Sequence, residues 1–355
     1  MLSRLLSGMD RERFENQVVS LIPLGAIGAE IRALGIPVFS LRMQPGRPTL
    51  LGLLRLVRLL REKRPDVLQA WLYHANLLGL IAARLAKVEK VIWNILASNA
   101  DMSRYRRLSG WTLTVGALLS GWPDAVVINA QAGREYHIRQ GYHPRRWVLI
   151  PSSVDLDQFK PNPGAHLSLC QELVLVPETV LIGLVARFDP MKDHENFLAA
   201  AGQLVKIDSE VHFVLTGSGV TAGNSQLFGL IERENLFGRV HLLGYRQDVT
   251  DLTAALDIAT SSSYSEGLPT MVVEAMACGV PCVVTDVGDS AYLVGETGIV
   301  VPPRDPQALA DGWVKLIQLG VEGRRALGQA ARRRIQEKFD LSQIVRQYEQ
   351  LYENL

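Results

Sequence analysis

The alternation of short apolar runs rich in Val and Ile with longer amphipathic segments most constrains the fold of this chain. Such alternation is typical of successive βα units that build a parallel sheet with helices packed on it. The first half contains six predicted strands, at Val18 to Ile22, Ile36 to Ser40, Val67 to Trp71, Val91 to Ile95, Ala125 to Asn129 and Trp147 to Ile150. The second half contains six more, at Val180 to Val185, Val211 to Thr216, Val240 to Leu243, Asp257 to Thr260, Pro281 to Thr285 and Gly298 to Val301.

Two such series in 355 residues predict an α/β protein with two tandem Rossmann-like, doubly wound domains. The Pro- and Gly-rich segment 151–164 is the predicted linker. We therefore expect an amino-terminal domain at 1–160, a carboxy-terminal domain at 161–335, and a terminal helix at 336–355 that packs back on the first domain. Two open sheets facing each other form a cleft at the carboxyl ends of their strands, where α/β folds usually bind ligands.

The start of the chain departs from the usual pattern of a doubly wound domain, which opens with a central strand and a ligand-binding turn. Here Leu2 to Met9 has the periodicity of a helix, and the first predicted strand begins at Val18. The sequence therefore predicts that the first strand and its Gly-rich loop are missing.

Composition excludes several classes of protein. With 48% hydrophobic and 21% charged residues, the chain is unlike a disordered or fibrous protein. Its three cysteines, Cys170, Cys278 and Cys282, are too few for a disulfide framework and have no zinc-site spacing, which favours a reducing, cytoplasmic setting. No secretion signal opens the chain, and the charge-free run from Leu108 to Pro123 is shorter than the ~20 residues that span a bilayer.

Charge is distributed unevenly along the chain. Residues 1–150 contain 21 Lys and Arg against 10 Asp and Glu, whereas the remainder contains 16 against 26. In the basic half, Arg104, Arg106 and Arg107 precede Trp111, and Arg145 and Arg146 precede Trp147. Cations beside Trp suit an anionic membrane surface, and the alternative is a solvated basic face with partly buried Trp. A nucleic-acid partner is not predicted, because no nucleic-acid-binding motif accompanies the charge.

The densest group of candidate functional residues lies between Ser261 and Pro281. A predicted strand ends near Thr260, a polar loop with Glu266 and Gly267 follows, and Pro269 and Thr270 supply the chemistry of a helix start. The free N–H groups of that helix form an anion site suited to a pyrophosphate. Glu266 and Glu274 are suited to binding sugar hydroxyls, so a nucleotide-sugar fits both requirements.

Two further loops follow predicted strands of the same series. Arg187 and Lys192 could both contact phosphate oxygens, and Gly217 and Gly219 form a tight turn that lets the backbone approach a ligand.

On these residues the chain resembles the family 4 retaining glycosyltransferases of the GT-B fold. The resemblance rests on Arg187 with Lys192, on Gly217 and Gly219, on Leu243 to Asp248, on Glu266 and Glu274 with seven residues between them, and on Gly298 to Pro303 with Asp305. It extends more loosely to the first half through Leu68 to Asn76 and Val91 to Ser98.

The resemblance implies a role for each candidate residue. Arg187 and Lys192 would contact the donor pyrophosphate, and Glu266 with the Gly267 and Leu268 backbone would hold the transferred sugar. Pro269 and Thr270 would also belong to the donor-binding site. Glu274 would bind the ribose, and Tyr245 and Arg246 would meet the base. The implied substrates are a UDP-sugar and a glycan or lipid-linked acceptor. No metal or other cofactor is implied. The implied location is cytoplasmic, with peripheral binding to the membrane.

The sequence departs from the family at the missing Gly-rich loop, at Asn94 to Ser98, where many members carry a His or Arg, and at Ser152 and Ser153 in the linker. His74, just after a predicted strand, is the remaining candidate on the acceptor side, and a structural role is the alternative. Two other functions stay open, a UDP-sugar epimerase of the same fold and a truncated, non-catalytic protein that binds nucleotide-sugar. A nicotinamide dehydrogenase is disfavoured, because no dinucleotide fingerprint appears in a first βα unit.

Overall fold

The computed structural model of the protein describes residues 1–44, 49–96 and 107–355, without the side chains of 107–110. The chain divides into two compact units, one of 1–153 with 341–355 and one of 154–340. The boundary lies between Ser153, which is buried like Ser152, and Val154, where the second unit begins. The boundaries expected from the sequence were 160 and 335.

The first unit contains six parallel strands, arranged as two separate sheets. The strands are β1 (Val18–Ser20), β2 (Val38–Ser40), β3 (Val67–Trp71), β4 (Lys90–Ile95), β5 (Ala125–Ile128) and β6 (Trp147–Leu149). The helices are α1 (Leu2–Gly8), α2 (Ala26–Ala33), α3 (Leu50–Lys63), α4 (Tyr73–Ala86), α5 (Arg107–Leu119) and α6 (Gln131–Arg139). Strands β1 and β2 pair with each other, and β3 to β6 form a four-stranded sheet in chain order.

The two sheets of the first unit share their hydrophobic cores although they share no ladder in the described residues. One core cluster includes Val18 of β1 and Val67 of β3, and a second includes Val19 and Leu68 from the same two strands. Successive side chains of a strand point to opposite faces, so both faces of the unit are continuous across the break. Helix α1 precedes β1, as the sequence predicts.

The second unit has one six-stranded parallel sheet with the order β12-β11-β10-β7-β8-β9. Its strands are β7 (Leu181–Val185), β8 (His212–Thr216), β9 (Val240–Leu242), β10 (Ile258–Ser261), β11 (Cys282–Thr285) and β12 (Gly298–Val301). Its helices are α7 (Ala165–Glu172), α8 (His194–Leu204), α9 (Ser225–Arg233), α10 (Val249–Ala254), α11 (Thr270–Ala277), α12 (Ser290–Val294), α13 (Pro306–Gln318) and α14 (Gly320–Lys338). Short 3-10 turns lie at Pro190–Lys192 and Gly295–Thr297.

The core of the second unit is built around three buried aromatic rings, Phe197, Phe213 and Trp313. The Trp313 ring lies 5.1 Å from that of Phe197, and its Nε1 donates a hydrogen bond of 2.9 Å to Thr260 Oγ1. Because Thr260 belongs to β10, this core contact positions the strand that leads into the loop of Glu266. A buried Trp N–H needs such a partner, since leaving it unpaired costs about 1–3 kcal/mol.

The last helix, α15 (Leu341–Glu353), belongs to the first unit. It packs against α1, and the Tyr348 hydroxyl accepts a hydrogen bond of 2.8 Å from Asn94 Nδ2 inside the core. Every strand predicted from the sequence is confirmed, with ends that differ by at most two residues. All three cysteines are buried and free, and burial raises the pKa of Cys278 to about 12.

Candidate functional site

The candidate site lies at the carboxyl edge of the six-stranded sheet of the second unit. All its ladders are parallel, so the loops that follow the strands emerge at the same edge. Every predicted donor-site residue lies in the loops after β7, β8, β9 and β10 or in α11. His74 is the exception, because it belongs to the first unit.

Lys192 and Glu266 form an ion pair at the centre of this edge. Their side chains are 21% and 12% exposed, so the pair is largely withdrawn from solvent. Ser263 Oγ donates to Glu266 Oε1 at 2.6 Å, and Ser262 Oγ donates to the Lys192 carbonyl at 2.8 Å. The Tyr264 amide donates to the Met191 carbonyl at 3.0 Å. The loops after β7 and β10 are thus bonded together, and a cation and a carboxylate are held side by side.

Arg187 lies in the same loop as Lys192 but is more exposed. Its Nε and Nη2 contact Asp189 Oδ2 at 3.1 and 3.0 Å, while Asp189 Oδ1 accepts from the Met191 amide at 2.9 Å. Burial alone would raise the pKa of Asp189, but the Met191 amide and Arg187 outweigh burial, so the pKa is lowered. The ionised Asp189 therefore orients Arg187 and caps the turn that carries Lys192.

Gly217 is required by the close approach of two loops. Its φ is +147°, and a Cβ at this position would lie 2.2 Å from the Ala186 carbonyl oxygen. The Gly217 amide donates to the Gly244 carbonyl at 2.8 Å, which ties the loop after β8 to the loop after β9. Gly219 has a φ of +79° and packs against Phe188. Only glycine reaches these conformations without strain, which confirms the tight turn predicted from the sequence.

Tyr245 and Arg246 follow β9 and differ in their surroundings. The Tyr245 ring is 77% exposed. The Arg246 guanidinium makes hydrogen bonds to Asp248 at 2.8 and 2.6 Å and to Glu172 at 2.5 and 3.2 Å. The bonds to Asp248 and then to Glu172 raise the pKa of Arg246. This side chain therefore anchors the loop to α7, and Tyr245 is the group that the loop presents to solvent.

The segment from Gly267 to Thr270 leads from the loop into α11. Leu268 and Pro269 are buried, and Thr270 is exposed as the first residue of the helix. Pro269 occupies the N-cap position and Thr270 the first helical position, so the predicted order, with Pro269 in the first turn and Thr270 as the cap, is wrong. Proline has no side-chain acceptor, and no side-chain hydrogen bond caps α11. Glu274 lies one turn into the helix and is partly exposed, as predicted.

Sequence reasoning missed the loop after β11, which supports the Glu266 loop from behind. Gly288 has a φ of +58°, and a Cβ there would lie 2.4 Å from the carbonyl oxygens of both Glu266 and Gly267. The Asp289 amide donates to the Gly267 carbonyl at 2.8 Å, and Thr285 Oγ1 donates to the Ser263 carbonyl at 2.5 Å. The sequence offered one signal for this loop, Gly288, which follows the end of the predicted strand Pro281 to Thr285.

His194 follows Lys192 at the start of α8 but does not cap that helix. Asp193, with a φ of +50°, caps α8 by accepting from the Asn196 amide at 3.2 Å. His194 is buried with its ring 5.1 Å from that of Phe188. Burial, and after it the nearby Lys192 charge, lower the pKa of His194 to about 4. The imidazole is therefore neutral at pH 7.

The acceptor-side candidate, His74, is the second residue of α4 and is partly exposed at the carboxyl end of β3. The neighbouring Tyr73 hydroxyl hydrogen-bonds His137 Nε2 at 2.8 Å, and His137 Nδ1 contacts the Gly133 carbonyl at 2.7 Å. Asn94, the first residue of the segment where the sequence departs from the family, is buried in β4. Ala97 and Ser98 of that segment, like Arg104 and Arg106, lie outside the described residues.

Protein-family models match both halves of the chain. The model described as Glycosyltransferase Family 4 matches residues 1–158, and the model described as Glycosyl transferases group 1 matches residues 179–319. The chain belongs to the family 4 glycosyltransferases. The family resemblance drawn from Arg187, Lys192, Glu266 and Glu274 is therefore confirmed.

Individual relatives of this family 4 chain are distant. It is 24% identical over 270 residues to the UDP-Gal:alpha-D-GlcNAc-diphosphoundecaprenol alpha-1,3-galactosyltransferase of Escherichia coli, covering 75% of this chain and 70% of that protein. It is 30% identical over 201 residues to the N-acetyl-alpha-D-glucosaminyl L-malate synthase of Bacillus anthracis, covering 56% of this chain and 49% of that protein. The match thus spans about half of the latter relative.

Among solved structures, Anabaena Alr3699/HepE in complex with UDP and glucose matches with a TM-score of 0.85 at 24% identity. The match covers 100% of this chain and 95% of that one. Sucrose-phosphate synthase from Thermosynechococcus elongatus matches with a TM-score of 0.77 at 20% identity, covering 95% and 98%. These matches show that the family 4 chain has the GT-B fold predicted from its sequence.

A cation that the sequence analysis did not single out also lies at this edge of the family 4 chain. Arg304 follows β12, and its guanidinium carbon lies 4.3 Å from the centre of the Tyr264 ring. Its charge acts on Asp193, where it opposes the effect of burial, which raises the pKa of that carboxyl. In the parts of the chain that the structure covers, no group of His, Cys, Asp or Glu could hold a metal ion. No helix there is long and apolar enough to cross a membrane.

Proposed function

We propose that this chain is a retaining glycosyltransferase that moves a sugar from a UDP-sugar to a hydroxyl group of a glycan or lipid-linked acceptor. The observation that carries the proposal is the Lys192–Glu266 pair beside the start of α11, whose N-cap residue, Pro269, makes no side-chain capping bond. A cation and free helix N–H groups suit a diphosphate, and a carboxylate suits sugar hydroxyls. The printed names of the Escherichia coli relative and of the Anabaena structure, with UDP-Gal and UDP, support the choice of UDP.

Arg187, Lys192 and the start of α11 would stabilise the leaving diphosphate. When the bond between the anomeric carbon and the diphosphate oxygen breaks, the electron pair leaves with UDP and negative charge grows on that oxygen. Positive groups held in place before the reaction lower the energy of this state without reorganising. Asp189 holds Arg187 and the turn of Lys192, so it acts as a positioning residue. No step of this scheme requires a metal ion.

Glu266 would orient the transferred sugar while Ser263 and Lys192 hold its carboxylate. The acceptor hydroxyl oxygen then bonds to the anomeric carbon, and its proton passes to the departing diphosphate oxygen. Placing the two reactants at the correct distance supplies much of the rate, because it replaces a bimolecular encounter by a local one. Gly267, Leu268 and Thr270 would present backbone N–H groups to the same sugar and to the diphosphate, and Pro269, which has no N–H, would fix the backbone between them.

The nucleoside would contact three other groups. Glu274 would accept hydrogen bonds from the ribose hydroxyls. The exposed Tyr245 ring would meet the base, with Arg246 holding the loop through Glu172 and Asp248. Gly217 and Gly219 would let the backbone approach the phosphates. On the acceptor side we assign His74, and we propose that the basic first half brings the enzyme to an anionic membrane surface.

The proposal is tested by incubating the full chain with UDP-glucose, UDP-galactose or UDP-N-acetylglucosamine and a diphospholipid-linked saccharide. We expect UDP release that depends on the acceptor, and a product whose anomeric configuration, read by proton NMR, equals that of the donor. A donor converted to another UDP-sugar without acceptor would identify an epimerase instead. Binding of UDP without any turnover across the panel would identify a non-catalytic protein.

Donor binding is tested separately by thermal unfolding with UDP, GDP and ADP. A ligand at ~100 times its Kd should stabilise the folded chain by about 2.7 kcal/mol if it binds only that state. We expect the shift to be largest with UDP and to be lost in Glu274→Ala. Glu322→Ala, in the exposed part of α14, is the matched control and should keep the shift. An equal shift with all three nucleotides would contradict the assignment of UDP.

A further inference from the structure

Three leucines of α3 lie on the outer face of the first unit. Leu50, Leu51 and Leu54 are 72%, 58% and 54% exposed, whereas Leu56, Val57 and Leu60 of the same helix are buried in its core. The inner face of α3 therefore already makes the contacts of this helix with the hydrophobic core. A group of three exposed leucines within five residues makes a contiguous apolar patch, and such patches on a folded surface mark sites of interaction.

The same outer face of α3 continues with arginines. Arg55, Arg58 and Arg61 are exposed, and Glu62 is the only acidic residue of the helix. A helix that presents an apolar patch followed by cations is typical of binding at the interface of an anionic membrane, where leucines enter the acyl region and arginines meet the headgroups. The charge disfavours a basic or neutral protein partner and fits the excess of Lys and Arg in residues 1–150.

Two hydrogen bonds show which end of the first unit carries the leucines. Arg61 Nη2 donates to the Leu85 carbonyl at 2.8 Å, and Arg84 Nη2 donates to the Trp122 carbonyl at 3.2 Å. The last turns of α3 and α4 and the end of α5 therefore lie together. The first turns lie at the opposite end, where β3 ends and α4 begins with Tyr73 and His74.

Helix α5 adds an aromatic residue to the same end. Trp111 lies in the first half of α5 and is 74% exposed, and α4 packs against both α3 and α5. Trp147, by contrast, begins β6 at the other end of the sheet and packs against the core around Trp93. The structure thus separates the two Arg-Trp segments found in the sequence, and only Trp111 lies at the end that carries the leucines.

We propose that Leu50, Leu51, Leu54, Arg55 and Arg58 of α3, with Trp111 of α5, form a docking surface for a bilayer that contains anionic phospholipid. His74 lies at the same end of the unit, so a lipid-linked acceptor would be presented next to it. The docking surface gives residues to the membrane contact proposed above, and the presentation of the acceptor rests on the proposed transferase function.

The proposal is tested by flotation of the full chain with vesicles of phosphatidylcholine alone or with about one third phosphatidylglycerol. We expect binding to the anionic vesicles that weakens as salt rises. The variant Leu50→Ser, Leu51→Ser, Leu54→Ser should bind at least tenfold more weakly to them. The variant Arg55→Gln, Arg58→Gln should lose the preference for anionic over neutral vesicles.

The matched control carries Val176→Ser, Leu319→Ser and Val321→Ser, three substitutions at exposed apolar positions of the second unit. It should bind vesicles as the unmodified chain does. Thermal unfolding of each variant with and without UDP verifies folding and reports the donor site, so a failure of the proposed function shows there and not in flotation.

Two results would overturn the proposal. One is vesicle binding of the leucine variant that equals that of the unmodified chain, or no binding of either. The other is a light-scattering mass that falls from dimer to monomer in the leucine variant without a change in lipid binding, which would make the leucines a self-association surface. Inorganic phosphate should displace the chain from vesicles no more than sodium chloride of equal ionic strength does, which distinguishes a bilayer from an isolated phosphate group as the ligand.

Discussion

The two units differ in how their parallel strands end. In the second unit the loops after β7 to β11 are bonded to their neighbours, as in Gly217 to Gly244, Tyr264 to Met191 and Asp289 to Gly267. In the first unit the strands form two sheets, and the described residues at the corresponding end include exposed leucines and a Trp. The difference teaches that hydrogen-bonded loops suit the small polar ligand proposed for the second unit, whereas an exposed apolar end suits the bilayer proposed for the first.

The largest expected effect is on the rate of transfer, and it should be confined to substitutions at the polar edge of the second unit. Glu266→Gln should lower kcat/KM for transfer at least 100-fold, because the carboxylate loses its charge toward both the sugar and Lys192. Steady-state kinetics with the best UDP-sugar measures the effect. Glu322→Gln on the surface of α14 is the control, and equal activity of the two variants would remove Glu266 from the site.

A second expected effect concerns the rigidity of the same edge. Gly217→Ala should destabilise the second unit by about 3 kcal/mol, because its Cβ would collide with the Ala186 carbonyl and its φ of +147° suits only glycine. Gly238→Ala shares a positive φ but has open space, so it should cost about 1 kcal/mol. Urea unfolding compares the two. Equal costs would show that the loops move apart to accept the methyl group.

Lowering the pH should decrease the free energy of unfolding of the second unit, because His194 becomes protonated. Its folded pKa of about 4 lies below the ordinary value near 6.5, so the neutral form is favoured in the fold. The contribution of His194 to the free energy of unfolding is fully present above about pH 6.5 and is lost as pH falls toward 4. This loss should reach about 2 kcal/mol by pH 4.5. The stability of His194→Gln should therefore fall less between pH 7 and pH 4.5 than that of the unmodified chain.

Chemical denaturation at pH 7, 5.5 and 4.5 measures this difference. Hydrogen exchange resolved by peptide should assign it to the second unit, where His194 packs against Phe188. Parallel pH profiles of the two proteins would mean that His194 does not titrate in this range.

The smallest expected effect lies in the first unit. Leu72, at the end of β3, has a φ of 73° and a ψ of 158°, which a non-glycine residue rarely adopts, and its side chain is 55% exposed. Leu72→Gly should therefore raise stability by about 1 kcal/mol through relief of strain. Leu85→Gly, at an exposed position inside α4, should lower stability by about 1 kcal/mol. A loss in both variants would show that the conformation at Leu72 is not strained.

The sequence predicted the strands well and the contacts of the site less well. Runs such as Val67 to Trp71 and Gly298 to Val301 coincide with the observed strands, because a buried parallel strand must be apolar along its length. The roles of Asp193, Gly288 and Arg304 were missed, since each depends on a partner distant in the chain or on a backbone angle that composition does not report. His194 illustrates the limit, because a His that follows a Lys in a loop resembles a surface residue in any pattern.

By itself, the sequence determined the class of fold, the family and the short list of chemical groups, Arg187, Lys192, Glu266 and Glu274 among them. These properties depend on residue type and local spacing, which a single chain displays directly. Tertiary structure decided that Lys192 pairs with Glu266, that Arg246 is held by Glu172, and that the leucines of α3 lie at the same end of the first unit as His74. Those outcomes depend on which strand ends meet at one edge and how helices run beside each other, and long-range packing settles both.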